Sequence, residues 1–116
     1  MGPHIAYTIS KHNMSMLTLG WAAEFKESGI AANALWPMTT IATAAVQNLL
    51  GGDYLIQRSR TPAILADSAH YILSQPAREC TGNLFLDEDV LQRAGVIDFS
   101  QYAVTPGGKL QRDLFV

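Results

Sequence analysis

A phenol and an ammonium, Tyr7 and Lys11, stand four residues apart near the start of this chain, in the stretch Ala6-Tyr-Thr-Ile-Ser-Lys11. If that stretch is helical, both side chains leave one face, a turn apart. Such a pair can do proton chemistry. An unperturbed tyrosine titrates at about 10, too high for a base near neutrality. A cation roughly 4 Å away favours a phenolate by about 4 kcal/mol at an effective dielectric near 20. That covers the roughly three pK units separating a resting tyrosine from an acid/base that works near pH 7. The spacing by itself also fits an ordinary amphipathic helix with a surface lysine, because this pair recurs by chance in many helices.

The elements that must position the pair follow from periodicity and punctuation. A helix is expected from Ala6 to Ser28: Met14, Leu17, Trp21 and Phe25 recur at helical spacing, and Gly29 is a natural left-handed stop. Gly2 and Pro3 before it read as loop. Ile30 to Trp36, bounded by Gly29 and Pro37, reads as a buried parallel strand. Thr39 to Leu50 is rich in small residues and reads as a helical lid or a substrate-side segment, with Gly51-Gly52 as a hinge or turn. Thr61-Pro62 opens another helix, with Thr as N-cap and Pro at the first helical position. Asn83 to Leu86 makes a second strand, and Asp87 caps a short helix through Ala94, with Glu88 and Asp89 at its positive end. The last twenty or so residues read as an irregular tail on the surface. Helices alternating with short buried strands indicate an α/β fold with a parallel sheet.

The order of these motifs resembles the C-terminal half of the short-chain dehydrogenase/reductase family. The Tyr-x-x-x-Lys helix is followed by Gly29-Ile-Ala-Ala-Asn33-Ala-Leu-Trp-Pro37, then by Thr61-Pro62, and then by Thr81-Gly82 opening the closing strand. Ala6 to Lys11, Asn33 to Pro37, and the tail from Tyr102 to Gln111 are similar to the hydroxysteroid-dehydrogenase-like branch of that family. The resemblance implies the C-terminal portion of a Rossmann-like, doubly wound parallel sheet: two short parallel strands with flanking helices, the N-terminal nucleotide-binding half being absent. Residues 1–94 would form part of a short-chain dehydrogenase domain, and 95–116 its irregular C-terminal tail.

Roles are implied residue by residue. Tyr7 would be the catalytic acid/base for a secondary alcohol or carbonyl, with lipid-like molecules among the substrates. Lys11 would favour its phenolate and hold the nicotinamide ribose of NAD or NADP. Pro37 would open the loop beside the nicotinamide, Ile41 would offer backbone groups to the carboxamide, and Thr43 would approach the phosphates. Asn33 is expected to tie backbone rather than touch ligand. The family commonly has glycine after the proline, whereas Pro37 is followed here by Met38, and Ile41 falls one residue late. Its closing strand often ends Val-Asp-Gly-Gly; this chain has Leu86-Asp-Glu-Asp89. That acidic run reads as a helix cap and not as a metal site, because nothing nearby completes a hard-ion cage.

No glycine-rich dinucleotide turn occurs in the 116 residues, and the six residues before Tyr7 hold no serine. The chain therefore reads as part of an enzyme, inactive in isolation, that exposes apolar surface and forms homo-oligomers. The alternative is a non-catalytic α/β module that persists by oligomerisation or partner binding. A net charge of −2 with scattered basic residues gives no footprint for nucleic acid. No apolar run is long enough for a membrane span. His4, His12 and His70 have no ligand spacing, so no metal is expected. The single cysteine, Cys80, forbids an internal disulfide and suggests the cytoplasm, with the peroxisome or mitochondrion as the alternatives the branch resemblance implies.

Overall fold

In a computed structural model, residues 4–116 are described; the Gly2-Pro3 loop expectation lies outside them. Helix α1 runs from Ile5 to Glu24, and its last turn continues to Gly29. There Gly29 takes a φ of 69°, its N–H donates to Lys26 O, and the Ile30 N–H donates to Phe25 O. This paired bonding is the left-handed turn that a glycine permits, but it closes the turns after α1, whose helix ends at Glu24, four residues before the expected Ser28.

Strand β1 is Ala34–Trp36 and β2 is Leu84–Leu86. They pair in parallel, Ala34 with Leu84, Leu35 with Phe85 and Trp36 with Leu86, which confirms the expected two-stranded parallel arrangement. Both strands are shorter than the sequence suggests. Residues 30–33 are joined to the segment before β2 by one backbone bond, Gly82 N–H to Ala32 O at 2.8 Å, and otherwise by side chains: Ala32 N–H donates to Thr81 Oγ1 at 3.0 Å, and Asn33 Nδ2 donates to Cys80 O at 2.9 Å. Asn33 Oδ1 accepts from the backbone and side chain of Asn83. Asn33 thus ties backbone to backbone.

Between the strands, Thr39 and Ile41 form isolated bridges with Arg112 and Arg60. The chain then enters a helical segment ending in a π-turn, Val46–Leu50, and turns through Gly51 and Gly52 into α2, Gly52–Ile56. The helix expected at Thr61-Pro62 is α3, Ala63–Leu73, but Thr61 makes no side-chain cap. Its backbone N–H is taken by Tyr102 O instead. Helix α4, Asp87–Arg93, follows β2 directly, and a 3₁₀ turn at Ser100–Tyr102 begins the tail's return.

The apolar core lies where α3, α4 and the tail meet: Ile41, Ile64, Leu91 and Tyr102, with Val96 and Phe99 packed against them. Arg60 is buried beside it. Its Nη1 pairs with Glu88 Oε2 at 2.8 Å, and its guanidinium lies over the Phe99 ring. On α1 the buried side chains are Thr8, Ser15, Thr18 and Ala22, while Met14, Leu17 and Trp21 of the expected apolar stripe are about half exposed. The small face of α1 turns inward because the sheet comes close: a Cβ on Gly82 would lie 3.5 Å from that of Ala22. No helix among the described residues is long and apolar enough to cross a membrane.

Candidate active site

Tyr7 and Lys11 leave successive turns of α1, and Lys11 Nζ lies 5.3 Å from the centre of the Tyr7 ring. The cation sits over the aromatic face, where the ring quadrupole attracts it. Tyr7 is 50 % exposed, so half of its surface is open to an incoming molecule. β1 ends one residue before Pro37 and delivers it to the same place. Tyr7, Lys11 and Pro37 line one cleft of about 330 Å³, together with Met14, Trp36 and Phe115.

Ile41 and Thr43 do not line that cleft. The Ile41 side chain belongs to the core. Its bridge to Arg60 uses the neighbouring Thr40 O and Ala42 N–H, so the N–H and C=O of Ile41 itself make no backbone hydrogen bond among the described residues. Thr43 is exposed and caps the helical segment after it: Oγ1 accepts from Val46 N–H at 3.4 Å, and its carbonyl accepts from Gln47 N–H at 2.9 Å. His12 borders the site, its Nδ1 2.9 Å from Thr8 O and its ring edge-on to Trp36 and Phe115. Among the described residues, no group of three or more His, Cys, Asp or Glu could hold a metal ion.

Two residues at the site escaped sequence reasoning. Asp87 does accept from the first turn of its own helix, with Oδ1 2.7 Å from Glu88 N. It is also fully buried, and the same oxygen accepts the Met38 N–H at 2.9 Å. One carboxylate therefore fastens the backbone just after Pro37. Burial pushes the Asp87 carboxyl above its ordinary 3.8, against the opposing pull of the two backbone donors and Arg60. The signal lay in the register: pairing Trp36 with Leu86 brings the next residues, Pro37 and Asp87, out at the same sheet end. The second is Phe115, in the tail expected to be irregular surface. Its ring stacks on Tyr7 with centroids 5.8 Å apart. No local pattern announces this contact.

No protein-family model matches the chain. Among curated proteins it is 49 % identical over 113 residues to hydroxysteroid dehydrogenase-like protein 2 of Xenopus tropicalis, covering 97 % of this chain and 26 % of that protein. The Homo sapiens protein of that name is 47 % identical with the same coverage. The chain thus spans about a quarter of the length of the curated relatives it matches. Among solved structures it matches a short-chain dehydrogenase of Mycobacterium thermoresistibile, with TM-score 0.84 and 51 % identity over 95 % of this chain and 39 % of that one.

Proposed function

We propose that the chain is a portion of a short-chain dehydrogenase/reductase, a reading supported by its likeness to dehydrogenase-like relatives and a short-chain dehydrogenase structure, and that Tyr7 is the acid/base in the interconversion of a secondary alcohol and a carbonyl. The observation that carries this reading is the single cleft shared by Tyr7, Lys11 and Pro37. In reduction the Tyr7 hydroxyl donates its proton to the substrate oxygen, and in oxidation the phenolate takes it back. Lys11, held over the ring, stabilises the negative charge that appears on Tyr7 when the proton leaves. Asp87 keeps the Pro37 loop in place through Met38. The apolar walls from Met14, Trp36 and Phe115 suit a small substrate whose body is apolar, including lipid-like ones.

Of the residues expected to hold NAD or NADP, Lys11 and Pro37 share the Tyr7 cleft and fit the nicotinamide end, Lys11 as a cation for the ribose and Pro37 as a flat apolar surface. Ile41 lies outside that cleft, and its N–H and C=O, which make no backbone hydrogen bond among the described residues, would serve the carboxamide from beside it. Thr43 Oγ1 accepts from Val46 N–H and so retains its own proton for a phosphate oxygen. When bound, the nicotinamide supplies or accepts the hydride. Nothing in the sequence forms the glycine-rich pyrophosphate turn.

The half-site is testable with nicotinamide mononucleotide, which needs no pyrophosphate turn. Saturation-transfer NMR on the 116-residue chain should show contact at the nicotinamide ring, weakened about five-fold or more by Lys11→Met. Absence of contact, or contact indifferent to Lys11→Met, sinks the reading. NAD(P)H turnover by the same chain should be undetectable.

A second reading is a homo-oligomeric module. It is favoured by Ile5, Ile9, Met16 and Leu19 on one side of α1 and Met14, Leu17 and Trp21 on another, all about half exposed or more.

A further inference from the structure

The acid/base reading of Tyr7 makes the wall beside it apolar but does not say which apolar shapes that wall favours. Phe115 forms that wall. Its ring lies 23° from parallel to the Tyr7 ring, and it meets His12 and Trp36 edge-on at 5.4 and 5.7 Å. Its position is built from the backbone. Thr40 N–H donates to Gln111 O and Asp113 N–H to Met38 O, both at 3.0 Å, while Gln111 N–H donates to Arg58 O at 2.8 Å. An antiparallel bridge between Thr39 and Arg112 lies between the first two. The segment Gln111 to Asp113 is thus a short strap on the backbone that follows Pro37, and it carries Phe115 over α1.

Phe115 borders the cleft and does not fill it. About 330 Å³ remains open, and Tyr7 keeps half of its surface exposed. Beyond Phe115 and Trp36 lies another cleft of about 360 Å³, lined by His12, Leu84, Leu86 and Val116, so the two aromatic side chains separate the spaces. On the Tyr7 side the polar hydroxyl and ammonium lie beside Phe115, Trp36 and Met14, which are broad and apolar.

We propose that Phe115 is a specificity-determining residue of the Tyr7 site, selecting flat, apolar molecules that carry one hydroxyl or carbonyl, a role that rests on the acid/base reading of Tyr7. Tyr7 covers one face of the Phe115 ring, so a flat molecule in the cleft lies against the part that Tyr7 leaves open and gains broad aromatic contact there, while a puckered or branched one meets the ring only at points. Its single polar atom is then left for Tyr7 and Lys11. Removing the ring joins the two clefts and erases the flat boundary.

The probe is 2-naphthol, with cyclohexanol as its non-planar counterpart. Binding is read on the whole 116-residue chain from the indole N–H signals of its two tryptophans, Trp21 and Trp36, told apart with Trp21→Phe. 2-Naphthol should shift the Trp36 signal in preference to Trp21, which lines a separate cleft on the outer side of α1. Phe115→Ala should weaken 2-naphthol about ten-fold. Phe115→Leu, which keeps an apolar side chain in the strap, should weaken it about five-fold while leaving cyclohexanol within about two-fold; Phe115→Trp should retain the wild-type preference. The proposal is overturned if Phe115→Leu leaves 2-naphthol unchanged, weakens both alcohols equally, or if Trp21 responds more than Trp36. The measurement needs no turnover. Intact 2-naphthol selectivity without nicotinamide contact would therefore remove the dehydrogenase reading alone.

Discussion

Helix α1 and the lobe formed by α3, α4 and the returning tail differ in what they do with their large apolar side chains. The lobe hides Ile64, Val90 and Leu91 almost completely, with Tyr102, and also buries the polar Ser68, Asp87 and Arg60 beside them, Arg60 paired with the half-buried Glu88. α1 hides Thr8, Ser15, Thr18 and Ala22, and shows Met14, Leu17 and Trp21 to the outside. Apolar burial is the main source of folding free energy, at about 25 cal/mol per Å², so the lobe is where this chain holds itself together. The proposed chemistry sits on the other region, where small inward side chains let α1 approach the sheet and larger ones remain for outside contacts. Stability and proposed function are therefore largely separate here. They meet at the backbone after Pro37, which Asp87 fastens from α4 and Asp113 from the tail.

The largest test of that contrast is a pair of truncations. Ile64→Ala, at a fully buried position, should cost about 3 kcal/mol in denaturant unfolding, whereas Leu17→Ala on the open face of α1 should stay within about 0.5 kcal/mol. Equal losses would mean that α1 is as well packed as the lobe.

Association is the next discriminator. If the open face of α1 pairs copies of the chain, Leu17→Glu with Trp21→Glu should lower the mass measured by light scattering while leaving the circular dichroism spectrum unchanged. A mass that ignores both substitutions would remove the homo-oligomer reading.

The smallest effect belongs inside the lobe. The Tyr102 hydroxyl donates to Asp67 Oδ2 at 2.7 Å, and burial together with that carboxylate pushes its pKa up to about 12 from 10.0. The folded chain therefore keeps a proton that the unfolded chain has already lost, so stability should fall as pH rises from 10 through about 12. Tyr102→Phe should cost about 1 kcal/mol at neutral pH and flatten that alkaline limb. An unchanged limb would place the titration elsewhere.

Local signals in the chain were reliable wherever the cause was local. Gly29 closes the turns that follow α1 because its φ of 69° is cheap only without a side chain. Gly29 and Pro37 bracketed β1, and the paired strands lie parallel as expected. The strands are shorter than the hydrophobic pattern suggests because before Ala34 side-chain bonds from Thr81 and the Asn33–Asn83 pair take over most of the pairing, which that pattern does not distinguish. The stripe of Met14, Leu17 and Trp21 was regular, but periodicity says only that one face is apolar and not what covers it.

What the sequence alone determined is the local part: a Tyr-x-x-x-Lys pair on one helical face, the alternation of helices with parallel strands, and the proline that ends β1. Tertiary structure decided which face of α1 turns inward, that Asp87 is a buried clasp on Met38 from 49 residues away, and that Phe115 closes over Tyr7 from the far end of the chain. Helical and strand spacings repeat within a few residues and can be read along a line. A contact between distant segments depends on register and on how the chain returns, and it exists only once the sheet and the tail are in place.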